Sequence, residues 1–155
     1  MATTTKNKIS CVDGPRIAIL MMNSPNIPKY AYYSTLIKYA TRYGYAFLVK
    51  MCPWEENMSK ASVIKKFLHL YDYIVYLDSD AFVYDQSIPI EFLIKNTFDK
   101  NPSLSLVTQE DSDDQHTCYN KGSMNAGILI FKNCSTSFEL LEEWMNQETK
   151  ACKDN

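Results

Sequence analysis

Residues 73–77 of this chain, Tyr-Ile-Val-Tyr-Leu, carry no charge, and they run directly into Asp78-Ser79-Asp80. A strand with one wet face alternates apolar and polar side chains. An unbroken apolar run of this kind suits a strand covered on both faces, as in a parallel sheet flanked by helices. In open α/β sheets, ligands collect outside the carboxyl ends of the strands. Alternate residues of an extended segment point the same way, so the two carboxylates at that end are offered to one hard cation through oxygen ligands. The pair is thus a candidate metal site. Two acids separated by one residue are weak alone, because acidic residues also close strands as turn formers.

Strand and helix signals alternate on either side. Residues 16–22 form a second apolar run, stopped by Asn23-Ser24-Pro25-Asn26-Ile27-Pro28. From 28 to 43, Tyr32, Leu36, Tyr39, Ala40 and Tyr43 recur at helical spacing, with Pro28 suited to the first turn and Gly44 to the C-terminal cap. Residues 45–51 read as strand, completing a β-α-β unit for which a right-handed crossover is expected. After a loop containing Trp54, Glu55 and Glu56, a helix opens at Ser59 or Lys60 and runs to about residue 70, with Val63, Ile64, Phe67, Leu68 and Tyr71 on one stripe. Asp72 is read as its end. Ser87 is placed to cap a short helix over 88–95, with Pro89 in its first turn. Strands are expected over 104–108 and 125–131. A last helix covers 136–147, where Thr136 and Glu139 have capping-box spacing and Phe138, Leu141, Trp144 and Met145 form the apolar face. The expected class is α/β, with a mostly parallel, Rossmann-like sheet flanked by helices. One domain over 16–149 lies between a loose leader, 1–15, and a tail, 150–155.

Composition removes several function classes. With 16 basic against 18 acidic residues there is no basic field to hold nucleic acid. Cys11, Cys52, Cys118, Cys134 and Cys152 show no C-x-x-C pair and no His at zinc-finger spacing, so zinc is unsupported and reduced thiols in a cytosolic setting are expected. No apolar run approaches the ~20 residues that span a bilayer, and residues 1–10 lack a signal-peptide core, so a soluble, cytoplasmic chain is expected. N-x-S sequons at Asn57 and Asn133 would matter only in a secretory compartment.

Taken in order, Ser59-Lys60-Ala61, then residues 73–81 with Asp78-Ser79-Asp80, then Asn125-Ala126-Gly127-Ile128 and the Trp144 helix resemble glycosyltransferases of the GT-A fold. Within that fold the chain is similar to the galactosyl-, xylosyl- and mannosyltransferase family of yeast Golgi and plant cell-wall enzymes, and to glycosyltransferase domains of large algal viruses. The resemblance implies a nucleotide-sugar donor, most often UDP-linked, held by Mn²⁺ or Mg²⁺, and a glycan or glycoprotein acceptor. It implies that Asp80 binds the cation directly and Asp78 directly or through the ribose or a water, with Ser79 in the donor site. It gives Asn23 and Ser24 to the nucleotide, Lys60 to the phosphates, and Asn125, Ala126 and Gly127 to the donor-sugar wall. The plainer readings stay open: a solvated Lys60, a tight strand entry at Asn125–Gly127, and a loop-anchoring Trp54.

An inverting transfer also needs a carboxylate within hydrogen-bond reach of the acceptor hydroxyl. Gln109, Glu110, Asp111, Asp113 and Asp114 qualify by type, and position just past a strand favours Asp111 as catalytic base. His116 and His69 read as loop and surface residues, and Asp85 as a turn residue. Family members carry a further metal-ligating His beyond the last helix, so a domain short or truncated on the acceptor side is expected. Two alternatives remain: a phosphatase of the haloacid-dehalogenase type, whose motifs also include an apolar strand before D-x-D and a strand ending in Thr, as at Thr108; and a non-catalytic nucleotide-sugar-binding domain.

Overall fold

The computed structural model describes residues 14–23, 30–51, 59–110 and 124–151. Strands β1 (Ile17–Asn23), β2 (Ala46–Met51), β3 (Tyr73–Leu77), β4 (Leu106–Glu110) and β5 (Met124–Lys132) form one sheet in the order β2-β1-β3-β5-β4. Helices α1 (Tyr30–Tyr43), α2 (Lys60–Leu68), α3 (Ile90–Asn96) and α4 (Ser135–Ala151) cover it.

The absence of alternation in β1 and β3 has the expected cause. Ile17, Ile19 and Met21 of β1 and Val75 and Leu77 of β3 pack with Leu36, Tyr39 and Ala40 of α1 and Ile90 and Ile94 of α3. The intervening Ala18, Leu20, Ile74 and Tyr76 pack on the opposite face with Ala61, Val63, Ile64 and Leu68 of α2 and Leu141 of α4. Period-two side chains thus feed two apolar layers, and neither face of the central strands meets water. Lys65 of α2 pairs with Glu142 of α4 at 2.6 Å on the outside.

β1 pairs in parallel with both β2 and β3, while β5 is antiparallel to β3 and β4. The mostly parallel expectation therefore holds for four strands, with β5 reversed. Because it is reversed, the entry of β5 rather than its exit lies at the carboxyl edge of the others. That brings Asn125, Ala126 and Gly127 to the end of β3.

Local signals set the helix ends unevenly. Gly44 has φ 75° and the Tyr45 N–H reaches back to the Ala40 carbonyl at 2.9 Å, a Schellman closure of α1 that uses the one residue free of a Cβ penalty. Ser59 caps α2 by accepting from the Ala61 N–H at 3.1 Å. Ser87 does not cap α3, which starts behind Pro89; its N–H and hydroxyl both bind Asp85 Oδ1 instead, at 2.9 and 2.6 Å, in an Asx-type turn. α4 begins at Ser135, with the Phe138 N–H on the Cys134 carbonyl, so Thr136 lies inside the first turn and not at a capping box.

Asp72 does not end α2, which stops at Leu68. Its carboxylate receives the Arg16 backbone N–H at 2.7 Å and Nη2 at 3.1 Å, and its carbonyl receives the Asn133 N–H at 2.9 Å. It therefore ties together the start of β1, the start of β3 and the end of β5. The Arg16 side chain first, then its backbone N–H, hold the carboxyl below its ordinary range.

A tyrosine cluster fastens the segment that follows the acidic pair. Tyr39, Tyr43 and Tyr45 pack ring against ring at the end of α1. Tyr39 donates to the Ile88 carbonyl at 2.7 Å and Tyr43 to the Ser87 carbonyl at 2.9 Å. The Tyr45 hydroxyl accepts from the Ile90 N–H at 2.9 Å and binds the Glu91 carboxylate. Burial pushes the Tyr39 hydroxyl up to about 12 and raises that of Tyr45 as well. No helix among the described residues is long and apolar enough to cross a membrane.

Candidate functional site

At the end of β3 the Asp78 N–H makes one more sheet bond, to the Gly127 carbonyl at 2.9 Å. Strand pairing with β1 and β5 ends at Leu77, and the chain then closes a turn in which the Ala81 N–H donates to the Asp78 carbonyl at 3.0 Å. Asp78-Ser79-Asp80 is thus a turn, not the extended segment its spacing suggests: without ladder partners, the backbone satisfies its own groups locally. Both carboxylates nevertheless line one cleft of about 550 Å³, with Lys60, Gln109 and Asn125–Ile128 around it. Ligand sites fall in this range of size, and at this edge of α/β sheets.

The two acids differ sharply in surroundings. Lys60, the first residue of α2, puts Nζ 2.7 Å from Asp78 Oδ1 and 3.0 Å from Oδ2. The same ammonium donates to the Ala126 carbonyl at 3.2 Å and lies 5.3 Å from the centroid of the Tyr76 ring. Tyr76 Oη donates to Asp78 Oδ1 at 2.9 Å. The Lys60 and Asp78 side chains are 32% and 34% exposed, so Lys60 is a cleft residue, not a solvated surface lysine. Asp80 is exposed, and its carboxylate has no hydrogen-bond or ion-pair partner among the described residues. Tyr76 is a neighbour of Asp78 that the sequence alone does not single out. As part of an apolar run it reads as core, and the only hint is that it stands two residues before Asp78 and so shares its face.

The β5 side is shaped by an irregularity. Thr108 pairs with Leu129 but Gln109 pairs with Asn125, so Ala126, Gly127 and Ile128 bulge out of the β4 register, with the Ile128 carbonyl taken by the Thr108 hydroxyl at 3.1 Å. The Ala126 carbonyl holds Lys60 and the Gly127 carbonyl holds the Asp78 N–H. Asn125 Oδ1 accepts from the Gly127 N–H at 2.8 Å, and the Thr108 hydroxyl binds the Asn125 carbonyl. A Cβ on Gly127 would stand 3.0 Å from Asn125 Oδ1 and 3.5 Å from Asp78 Oδ2. Only a residue without a side chain leaves this wall as close to Asp78 as it is.

Asn23 ends β1 at the same sheet edge, 4% exposed, but does not line the Asp78 cleft. Its position in β1 puts it on the α1 face. There Tyr33 lies beside it, and burial raises the Tyr33 hydroxyl's pKa. Asn23 Oδ1 and Tyr33 Oη both lack a hydrogen-bond partner among the described residues. Ser79 is half-buried in the turn and Glu110 is exposed at the end of β4, both outside the cleft lining. Ser24, Trp54, Asp111, Asp113, Asp114 and His116 lie outside the described residues.

Among the described residues, no three His, Cys, Asp or Glu side chains gather as a ready-made metal cage. The oxygen donors of Asp78 and Asp80 suit a different arrangement. Mg²⁺-like cations are commonly held by one or two carboxylates, with substrate phosphates and waters completing the shell. The donor set fits such a cation.

No curated protein matches the chain in sequence. Solved structures that share its fold include the following two. One is described as a glycosyltransferase involved in the glycosylation of the major capsid of PBCV-1, with TM-score 0.57 and 20% identity over 83% of this chain. The other is A197 from STIV, with TM-score 0.50 and 14% identity over 82% of this chain. The chain spans 64% of the length of the first and 67% of the second. Residues 31–155, which include α2, Asp78, Asp80 and the entry of β5, match the sequence pattern of the galactosyl transferase GMA12/MNN10 family, and the chain belongs to that family.

Proposed function

We propose that this chain binds a nucleotide-sugar, UDP-linked, and moves its sugar to a hydroxyl of a glycan or glycoprotein acceptor with Mn²⁺ or Mg²⁺ as cofactor. The carrying observation is the cleft in which Lys60, Asp78 and Asp80 converge beneath Gly127 at the carboxyl edge of the sheet. Family membership favours this reading over the phosphatase.

In the reaction the bond from the anomeric carbon to the diphosphate breaks, a bond from the acceptor oxygen forms, and the acceptor proton passes to a base. A divalent cation held by Asp80, with Asp78 beside it, would neutralise charge growing on the departing diphosphate. Lys60 adds a positive charge on the same side, at a helix N-terminus where free N–H groups also favour anions. Asn125 and Gly127 wall the donor sugar and Ser79 contributes to the donor site; the resemblance gives Asn23 and Ser24 to the nucleotide, but Asn23 is buried on the α1 face outside the cleft. Asp111, just past β4, is the proposed base.

The test is a screen of UDP- and GDP-sugars for binding and hydrolysis with Mn²⁺ present. UDP-sugar binding that requires Mn²⁺, with turnover abolished in Asp80→Ala, is expected. If Asp80→Ala hydrolyses UDP-sugars as fast as the parent, the metal assignment fails. Binding without turnover in the parent would identify a nucleotide-sugar-binding domain.

A further inference from the structure

We infer that Lys60 is an internal counter-ion: it competes with the divalent cation for Asp78 and moves to the diphosphate when the donor arrives. The inference rests on the metal-dependent donor binding proposed above and adds a regulation of that site, a coupling between cation and nucleotide built from this chain's own residues.

The resting geometry carries it. An ionised carboxylate offers about four lone-pair positions on its two oxygens. At Asp78 the Lys60 ammonium lies against both oxygens, at 2.7 and 3.0 Å, and the Tyr76 hydroxyl takes a further position on Oδ1 at 2.9 Å. A divalent cation approaching Asp78 meets a like charge already in contact and must displace it or share the carboxylate with it, which the partly desolvated cleft makes costly. Asp80 presents no such obstacle, having no partner among the described residues. In the nucleotide-free protein the motif therefore works as one available carboxylate, Asp80, and one neutralised carboxylate, Asp78.

Lys60 is also able to leave. Its side chain is about one-third exposed, it sits on a flexible four-carbon stem at the first residue of α2, and it lines the same cleft as both acids. The Asp78 carboxylate, the Ala126 carbonyl and the Tyr76 ring hold it in the resting position, and a diphosphate offers the ammonium more charge and more acceptor oxygens than these. A diphosphate in the cleft draws the ammonium away and uncovers Asp78 for the cation. By linkage, the factor by which the cation raises nucleotide affinity is the factor by which the nucleotide raises cation affinity.

Mn²⁺ binding to the nucleotide-free chain, followed by electron paramagnetic resonance, tests this without any turnover. Lys60→Met is expected to bind Mn²⁺ roughly tenfold more tightly than the parent, a coupling of ordinary size, while its affinity for UDP at saturating Mn²⁺ falls by a similar factor. A lysine that merely braced the site would lower both affinities when removed. Adding Asp78→Asn to Lys60→Met should cancel that variant's gain, a double-mutant cycle confined to touching residues. Should Lys60→Met melt well below the parent, Lys60→Gln decides by the same titration: a Mn²⁺ affinity no higher than the parent's overturns the inference. Parent protein that binds Mn²⁺ with no gain in Lys60→Met overturns the competition alone. Parent protein that binds neither Mn²⁺ nor UDP overturns the functional proposal beneath it.

Discussion

At Gly127 a missing side chain sets the shape of the site. Its N–H holds the Asn125 side chain, its carbonyl holds the Asp78 backbone, and an added methyl would press on Asn125 Oδ1 and come into contact with the Asp78 carboxylate. Its φ is not in the left-handed region, so the demand is for space alone and not for backbone freedom. Gly127→Ala is therefore expected to fold and to weaken UDP binding by about 1–2 kcal/mol, the usual scale for small overpacking. A thermal melt and a UDP titration check this, and unchanged affinity would remove Gly127 from the donor wall. Asp78 and Asp80 teach a related point. They are chemically identical and one residue apart, yet Asp78 is held by Lys60 and Tyr76 while Asp80 is open. Nothing within the tripeptide distinguishes them; the difference comes from α2 and from the face that Tyr76 shares with Asp78.

Among the elements, α1 is held to the segment following the acidic turn by hydroxyl groups as well as by rings. Tyr39→Phe keeps the ring and leaves the Ile88 carbonyl without its donor, so a loss of about 1 kcal/mol in urea unfolding is expected. The variant should also alter the alkaline limb. An unfolded tyrosine ionises near pH 10, whereas burial pushes Tyr39 up to about 12. The folded state thus keeps a proton that the unfolded state sheds. The associated stability is fully present below about pH 10 and is lost as pH rises toward 12. Stability measured from pH 8 to 11 should fall less steeply in Tyr39→Phe than in the parent. The sequence shows that α1 has a tyrosine-rich apolar face, but not that its hydroxyls find backbone carbonyls more than forty residues away. Likewise the residues of β5 read clearly as a strand, while its direction depends on which neighbours it joins.

Across the whole molecule, Arg16 and Asp72 close the edge of the sheet opposite the cleft. The pair is exposed, so solvent screens most of its charge attraction. Asp72→Asn should lower stability at pH 7 only slightly. Since Arg16 depresses the Asp72 pKa, the contribution is present above the unfolded value near 3.9 and disappears as pH falls through the lower folded value. Urea unfolding of parent and variant should therefore converge at strongly acid pH, and a gap that persists there would mean packing rather than charge. Much of the architecture was legible in the chain. The uncharged runs at 17–21 and 73–77 announce strands covered on both faces, Gly44 and Ser59 mark helix ends, and strand-helix alternation gives the α/β class. These signals are local, since backbone propensity and side-chain period act over a few neighbouring residues. The turn at Asp78–Ala81, the reversal of β5 and its register shift against β4 were settled at longer range, as was the ammonium shared by Asp78 and Ala126. Lys60 meets those two partners across 18 and 66 residues of chain. Strand order and register bring them together, and no local preference encodes either.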